Sequence, residues 1–209
     1  MANTLDQLTP RAALIEIARD FHARGWMAGT AGNLSAREDD GSFWITASGK
    51  PKGRLEENDF LLMAIADGKV IEHSGNAKPS AETAIHRSLY QCFPEARACL
   101  HVHSVDACLA AAPTPAAADS LPLPPLEMLK GLGIWEEQPR AVLPLFENFL
   151  EVGTIAAAIS LRFKQSSPQV PALMVRGHGI TVWGGGLQET YNRVEVLEFI
   201  MGYLARNPD

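Results

Sequence analysis

RACLHVHS, residues Arg97 to Ser104, alternates small or apolar side chains with polar ones and reads as a β-strand. Alternate side chains on a strand share a face, so His101 and His103 project together while Val102 turns into the opposite layer. ALMVRGHGITVW, Ala172 to Trp183, reads as two further strands interrupted at Gly177-His178-Gly179. Working outward, Thr9-Pro10 opens a helix with an apolar stripe through Leu14, Ile15, Ala18 and Phe21, ending at Gly25. Gly29 to Arg37 reads as a glycine-rich turn, Phe43 to Ala47 as a strand and Ser48 to Gly53 as a loop. Phe60 to Ile65 and Lys69 to Glu72 form a hairpin about Asp67-Gly68. Ser80 caps a helix through AETAIHRSLYQCF, and Val105 to Ala112 forms a short helix. The Ala- and Pro-rich segment Ala112 to Pro125 reads as an internal loop and Glu127 to Leu132 as a helical turn. Ala141 to Phe146 reads as a strand, Asn148 to Phe163 as a helix and Leu187 to Ala205 as a closing helix. Helices interspersed with strands, one pair a tight hairpin, predict a sheet covered by helices with substantial antiparallel character.

The bulk numbers exclude several classes. With 209 residues, 46% hydrophobic and 20% charged, the chain suits a single globular domain, 1–209. A net charge of −6 argues against nucleic acid as partner. No apolar run reaches the ~18 residues of a membrane span, and MANTLDQLTPR lacks the basic and apolar regions of a signal peptide. Three cysteines without a Cys-x-x-Cys point to a reduced, cytoplasmic compartment and to cysteines used for packing.

His-x-His alone reads equally as two ordinary strand histidines. His178 shifts the balance, because flanking glycines permit backbone shapes that turn it into a cleft; the plain alternative is a bulge. Three neutral imidazoles would leave the fourth position of a zinc ion open, the catalytic pattern. His22, His73 and His86 lack such framing and read as surface or core residues. Gly29–Ser35, Ser48–Gly53 and Lys78–Thr83 are polar loops suited to an oxyanion such as phosphate if they converge, and Lys50 or Lys52 adds a point charge. Glu82 and Glu127 are the glutamates placed to move a proton beside a metal-polarised carbonyl. Most glutamates are simply solvated, which is the strong plain alternative for both, and Glu82 also suits a helix dipole. Trp26, Trp135 and Met128 are large enough to receive an apolar substrate group, though core packing explains them as well.

GTAGNLS, ITASGK, KPSAET, HVHS and GHGITVWG occur in the order and approximate spacing of the class II aldolase/adducin family, which the chain resembles from about Ala12 to Leu204. That resemblance implies a three-layer α/β/α domain with a central, mainly antiparallel sheet, and a homotetramer with sites near subunit interfaces. It maps one zinc ion onto His101, His103 and His178, and phosphate binding onto Asn33, Ser48, Gly49 and Ser80. In the aldolase branch the acid/base glutamate maps onto Glu82; in the dehydratase branch it maps onto Glu127, ahead of MLKG, and the latter is favoured here. The combination of GTAGNLSAR, SGKPKG, KPSAETAIH, EMLKG and the GHGITVWG ending implies, through the same resemblance, zinc-dependent dehydration of a small sugar phosphate, 5-methylthioribulose 1-phosphate of methionine salvage. The alternatives are a sugar-phosphate aldolase or epimerase and a non-catalytic, adducin-like interaction domain.

Overall fold

The structure, a computed structural model, describes residues 4–207, so the ends of the expected 1–209 domain lie outside the described residues. Helix α1 (Pro10–Ala23) begins as expected: the Thr9 hydroxyl accepts from Ala12 N–H and Leu14, Ile17, Ala18 and Phe21 are buried. The other helices are α2 (Thr83–Cys92), α3 (Val105–Ala111), α4 (Val152–Gln165) and α5 (Leu187–Arg206). The strands are β1 (Asn33–Arg37), β2 (Ser42–Thr46), β3 (Phe60–Ala64), β4 (Val70–His73), β5 (Ala98–Val102), β6 (Ser120–Pro122), β7 (Val142–Phe146), β8 (Ala172–Val175) and β9 (Gly179–Gly184). They form one sheet in the order β4-β3-β2-β1-β5-β9-β8-β7-β6, antiparallel except between β7 and β8.

Strand alternation builds two cores, one on each face of this sheet, and so three layers. Leu34, Leu100, Val102, Met174, Ile180 and Val182 pack with α1, α3 and α5. Phe43, Ile45, Leu61, Cys99, Leu173 and Trp183 face α2 and α4. On β1, β5 and β9 this second face also carries Asn33, Ser35, His101 and Thr181, all buried. Polar residues on an otherwise apolar face, at the centre of the sheet, mark where the chemistry lies.

The structure corrects four local expectations. The second half of the supposed turn at Gly29–Arg37 is strand β1, and the Ala- and Pro-rich loop contributes β6. Helix α2 starts at Thr83, because the Ser80 hydroxyl accepts from Glu82 N–H and closes a turn before it. Helix α4 starts at Val152, leaving Asn148–Leu150 as a loop. Among the described residues, no helix is long and apolar enough to cross a membrane.

One buried charge weighs on stability. Glu198 of α5 is 4% exposed, and neither carboxyl oxygen has a hydrogen-bond partner among the described residues. Burial pushes its carboxyl up to about 7, the Ser104 hydroxyl opposing the shift and Asp106 adding to it. A carboxyl that holds its proton more tightly folded than unfolded loses stability as pH rises from about 4.5 to about 7, and no more above that. That shift corresponds to about 3 kcal/mol. Glu198→Gln is therefore expected to flatten the fall in Tm between pH 5 and pH 8, as thermal unfolding across that range will show.

Candidate active site

Three backbone devices bring the histidines together. His101 sits on β5 between its partners Asn33 on β1 and Thr181 on β9. His103 lies just past β5, where its N–H donates to Trp26 O at 2.8 Å. His178 occupies the turn between β8 and β9, which closes with its N–H on Val175 O. Its flanking glycines are required for separate reasons. Gly177 has φ +57°, and a Cβ on Gly179 would stand 2.0 Å from Val102 O, so only glycine lets the turn press against β5.

The three imidazoles surround a common point. Ring centroids are 4.4–5.0 Å apart and each pair meets edge-on, at 68–79°. His101 Nδ1 donates to Ile180 O at 2.9 Å, which leaves its Nε2 as a bare lone pair aimed inward. That Nε2 is 3.4 Å from His178 Nε2. Glu82 Oε1 completes the group, 2.6 Å from His178 Nε2 and 3.7 Å from Nε2 of both His101 and His103. All four ligand atoms fall within 4.8 Å of one another.

These residues fit a divalent metal. Ligand atoms around a tetrahedral zinc stand about 3.3 Å apart, given bonds of 2.0–2.1 Å. His103 Nε2 is buried with no hydrogen-bond partner among the described residues, as an imidazole nitrogen reserved for a metal would be. Burial pushes His103 down to about 3, so the ring is neutral and its lone pair available. Burial works against ionisation of Glu82, but the adjoining imidazoles of His101 and His178 outweigh it and hold its carboxyl well below the usual carboxylate range.

The cluster opens onto a cavity of about 340 Å³, lined by Asn33, Ser48, Gly49, Lys52, Ser80, Glu82 and His103 among others. All four residues expected to bind phosphate thus line one space with two members of the metal group. Lys52 rather than Lys50 provides its cation: Lys50 is drawn into an ion pair with Asp59 at 2.7 Å. Lys52 is 1% exposed, and its Nζ donates to Thr30 O at 2.8 Å and Lys50 O at 3.0 Å. Burial lowers its ammonium to about 8. A second cavity, lined by Asn148, Phe149, Leu150, Val152 and Gly177, also meets His103 and His178.

Residues 12–204 match the family model described as the class II aldolase and adducin N-terminal domain. The chain belongs to the class II aldolase/adducin family. It is 54% identical over 197 residues to the methylthioribulose-1-phosphate dehydratase of Microcystis aeruginosa, covering 93% of this chain and 94% of that one. It is 41% identical over 209 residues to the enzyme of the same name from Leptospira biflexa, covering 97% and 99%. Among solved structures it resembles YgbL of Escherichia coli, a putative aldolase/epimerase/decarboxylase, with TM-score 0.74 and 28% identity over 92% of this chain and 86% of that one. It also resembles L-fuculose-1-phosphate aldolase of Thermus thermophilus, with TM-score 0.69 and 27% identity over 95% and 93%.

Within this family member, one expected site residue stands apart. Glu127 is 83% exposed, pairs with Lys130 at 2.6 Å and lines neither cavity. The large apolar candidates are also elsewhere: Trp26 and Met128 pack against the α1/α3/α5 core, and Trp135 is exposed beneath Lys130. Sequence reasoning did not single out Thr181 or Val152, and it read His86 as a surface or core residue, which the structure buries completely. Thr181 stands two residues past Gly179 on the site face, and His86 lies one helical turn after Glu82, a spacing that places both on one side of α2.

Proposed function

We propose that this chain is a hydro-lyase that converts 5-methylthioribulose 1-phosphate to 2,3-diketo-5-methylthiopentyl 1-phosphate in methionine salvage, as one cytoplasmic domain in a homotetramer with one zinc per subunit. The supporting observation is the convergence of Glu82, His101, His103 and His178 beside a cavity lined by Asn33, Ser48, Gly49 and Ser80. Zinc held by the three histidines would supply Lewis-acid polarisation of the substrate carbonyl. The two serines, Asn33 and the Gly49 backbone hold the phosphate. Glu82 Oε1 removes the proton from C3. The C4 hydroxyl leaves as water, with its proton supplied by Glu127, and the resulting enol becomes the diketone. Because Glu127 is exposed and outside both cavities, it is assigned to the site of a neighbouring copy. Phe149, Leu150 and Val152 form the apolar wall that takes the methylthio end.

Lys52 uses two of its three N–H donors on carbonyls, leaving one for the phosphate. Lys52→Met is expected to raise KM about 10- to 100-fold, the equivalent of one charge-assisted hydrogen bond, with a smaller effect on kcat. Steady-state kinetics will check this.

The likeness to an L-fuculose-1-phosphate aldolase supports a second reading, cleavage or epimerisation at C3–C4. Product analysis separates them: one five-carbon diketone supports dehydration, and two shorter carbonyl fragments support aldol cleavage. An intact set of three histidines and a glutamate weighs against a non-catalytic, adducin-like role.

A further inference from the structure

Behind the metal group, an unbroken hydrogen-bonded chain runs into the core between the sheet and α2. Asn33 Nδ2 donates to Glu82 Oε2. Asn33 Oδ1 meets His86 Nε2 at 2.5 Å, and His86 Nδ1 meets Ser35 Oγ at 2.7 Å. Ser35 Oγ meets Tyr90 Oη at 2.7 Å. His86 and Tyr90 are buried to within 1% of completely, so no water competes.

The direction of every bond follows from the carboxylate at its end. An ionised carboxylate only accepts, so the Asn33 NH₂ must face it and the Asn33 carbonyl must face His86. His86 Nε2 must then carry a proton. Complete burial disfavours the imidazolium, so His86 Nδ1 is bare and accepts from the Ser35 hydroxyl. The other acceptor of that hydroxyl, Cys99 O, is farther away at 3.3 Å. Tyr90, kept protonated by burial, donates in turn to Ser35 Oγ.

We infer that His86 is a positioning residue: its Nε2–H tautomer, set by Ser35, fixes which way the Asn33 amide faces and so holds Glu82 with Oε1 toward the three imidazoles. With the amide reversed, the Asn33 carbonyl would confront the carboxylate, and Glu82 would turn away from both the metal group and the cavity. The second N–H of Asn33 stays free for the cavity that it lines. This inference rests on the reading of Glu82 as the proton-carrying group.

Two measurements test it. In ¹⁵N-histidine NMR of the wild-type zinc-loaded protein, His86 is expected to show a protonated Nε2 and a bare Nδ1 from pH 6 to 8. An Nδ1–H tautomer or an imidazolium would overturn the inference, and this readout does not depend on which reaction the protein catalyses. In kinetics, His86→Phe is expected to lower kcat about 10- to 100-fold with KM within about threefold and zinc content unchanged, a loss within the range of general acid–base catalysis. His86→Gln, which keeps an amide N–H donor, is expected to restore most of kcat. A lower Tm with unchanged kcat per folded, zinc-loaded subunit would assign His86 to the core alone and overturn the inference. A wild type that cleaves rather than dehydrates would overturn the proposed function and leave the His86 result standing.

Discussion

His101→Ala is expected to yield a folded chain that retains no zinc after dialysis and turns over substrate about 10³-fold more slowly or less. Of the three histidines, His101 is the most fully prepared for a metal. It is 1% exposed, and Ile180 O and Thr181 Oγ1, each at 2.9 Å, hold the ring with Nε2 turned inward. Even an indirect partner of a ligand costs about 10- to 100-fold in metal affinity when lost, so deleting the ligand costs more. Lewis-acid stabilisation of several kcal/mol translates into the expected rate loss. Outside the cluster, among the described residues, the imidazole removed bonds to one carbonyl and one hydroxyl, so folding should survive, as circular dichroism and Tm will show. A metal-free variant with full activity would sink the metal assignment.

Glu82→Gln is expected to lower kcat by about 10²- to 10⁴-fold while leaving the fold intact, the range typical of a positioned acid or base. The amide keeps the carboxylate's shape but cannot take a proton at the position of Oε1. Glu82 is 14% exposed and stands against the metal group, whereas Glu127 is in solvent on an ion pair with Lys130. Glu127→Gln should also lower kcat, through a neighbouring copy's site, and should do so only in the assembled oligomer. If Glu127→Gln abolishes turnover while Glu82→Gln leaves it near wild type, the proton transfer at C3 belongs to Glu127. Zinc content measured alongside separates a lost base from a lost ligand.

What the sequence disclosed follows from where side chains face. RACLHVHS was legible because Ala98, Leu100 and Val102 feed one core while His101 and His103 share the other face. The Gly-His-Gly break and the long α5 were equally plain. Strand β1 was not, because its site-facing positions are Asn33 and Ser35, and polar residues pointing inward remove the apolar alternation that signals a strand. The same two residues flank His86 in the hydrogen-bonded chain behind the metal group. Strand β6 was hidden by prolines that suit a short edge strand. The loops that line the cavity were each weak alone; their convergence depends on β1, β2 and α2 meeting across the sheet, which local pattern does not encode. Glu127 shows the opposite limit: its place ahead of MLKG singled it out in the sequence, yet the fold leaves it exposed on an ion pair with Lys130.

The most direct test of the central claim is the identity of the product formed from 5-methylthioribulose 1-phosphate by the zinc-loaded protein. The account predicts a single five-carbon diketone phosphate formed with loss of one water, abolished by a chelator and restored by zinc. Two shorter carbonyl fragments, or turnover unaffected by complete removal of metal, would contradict it.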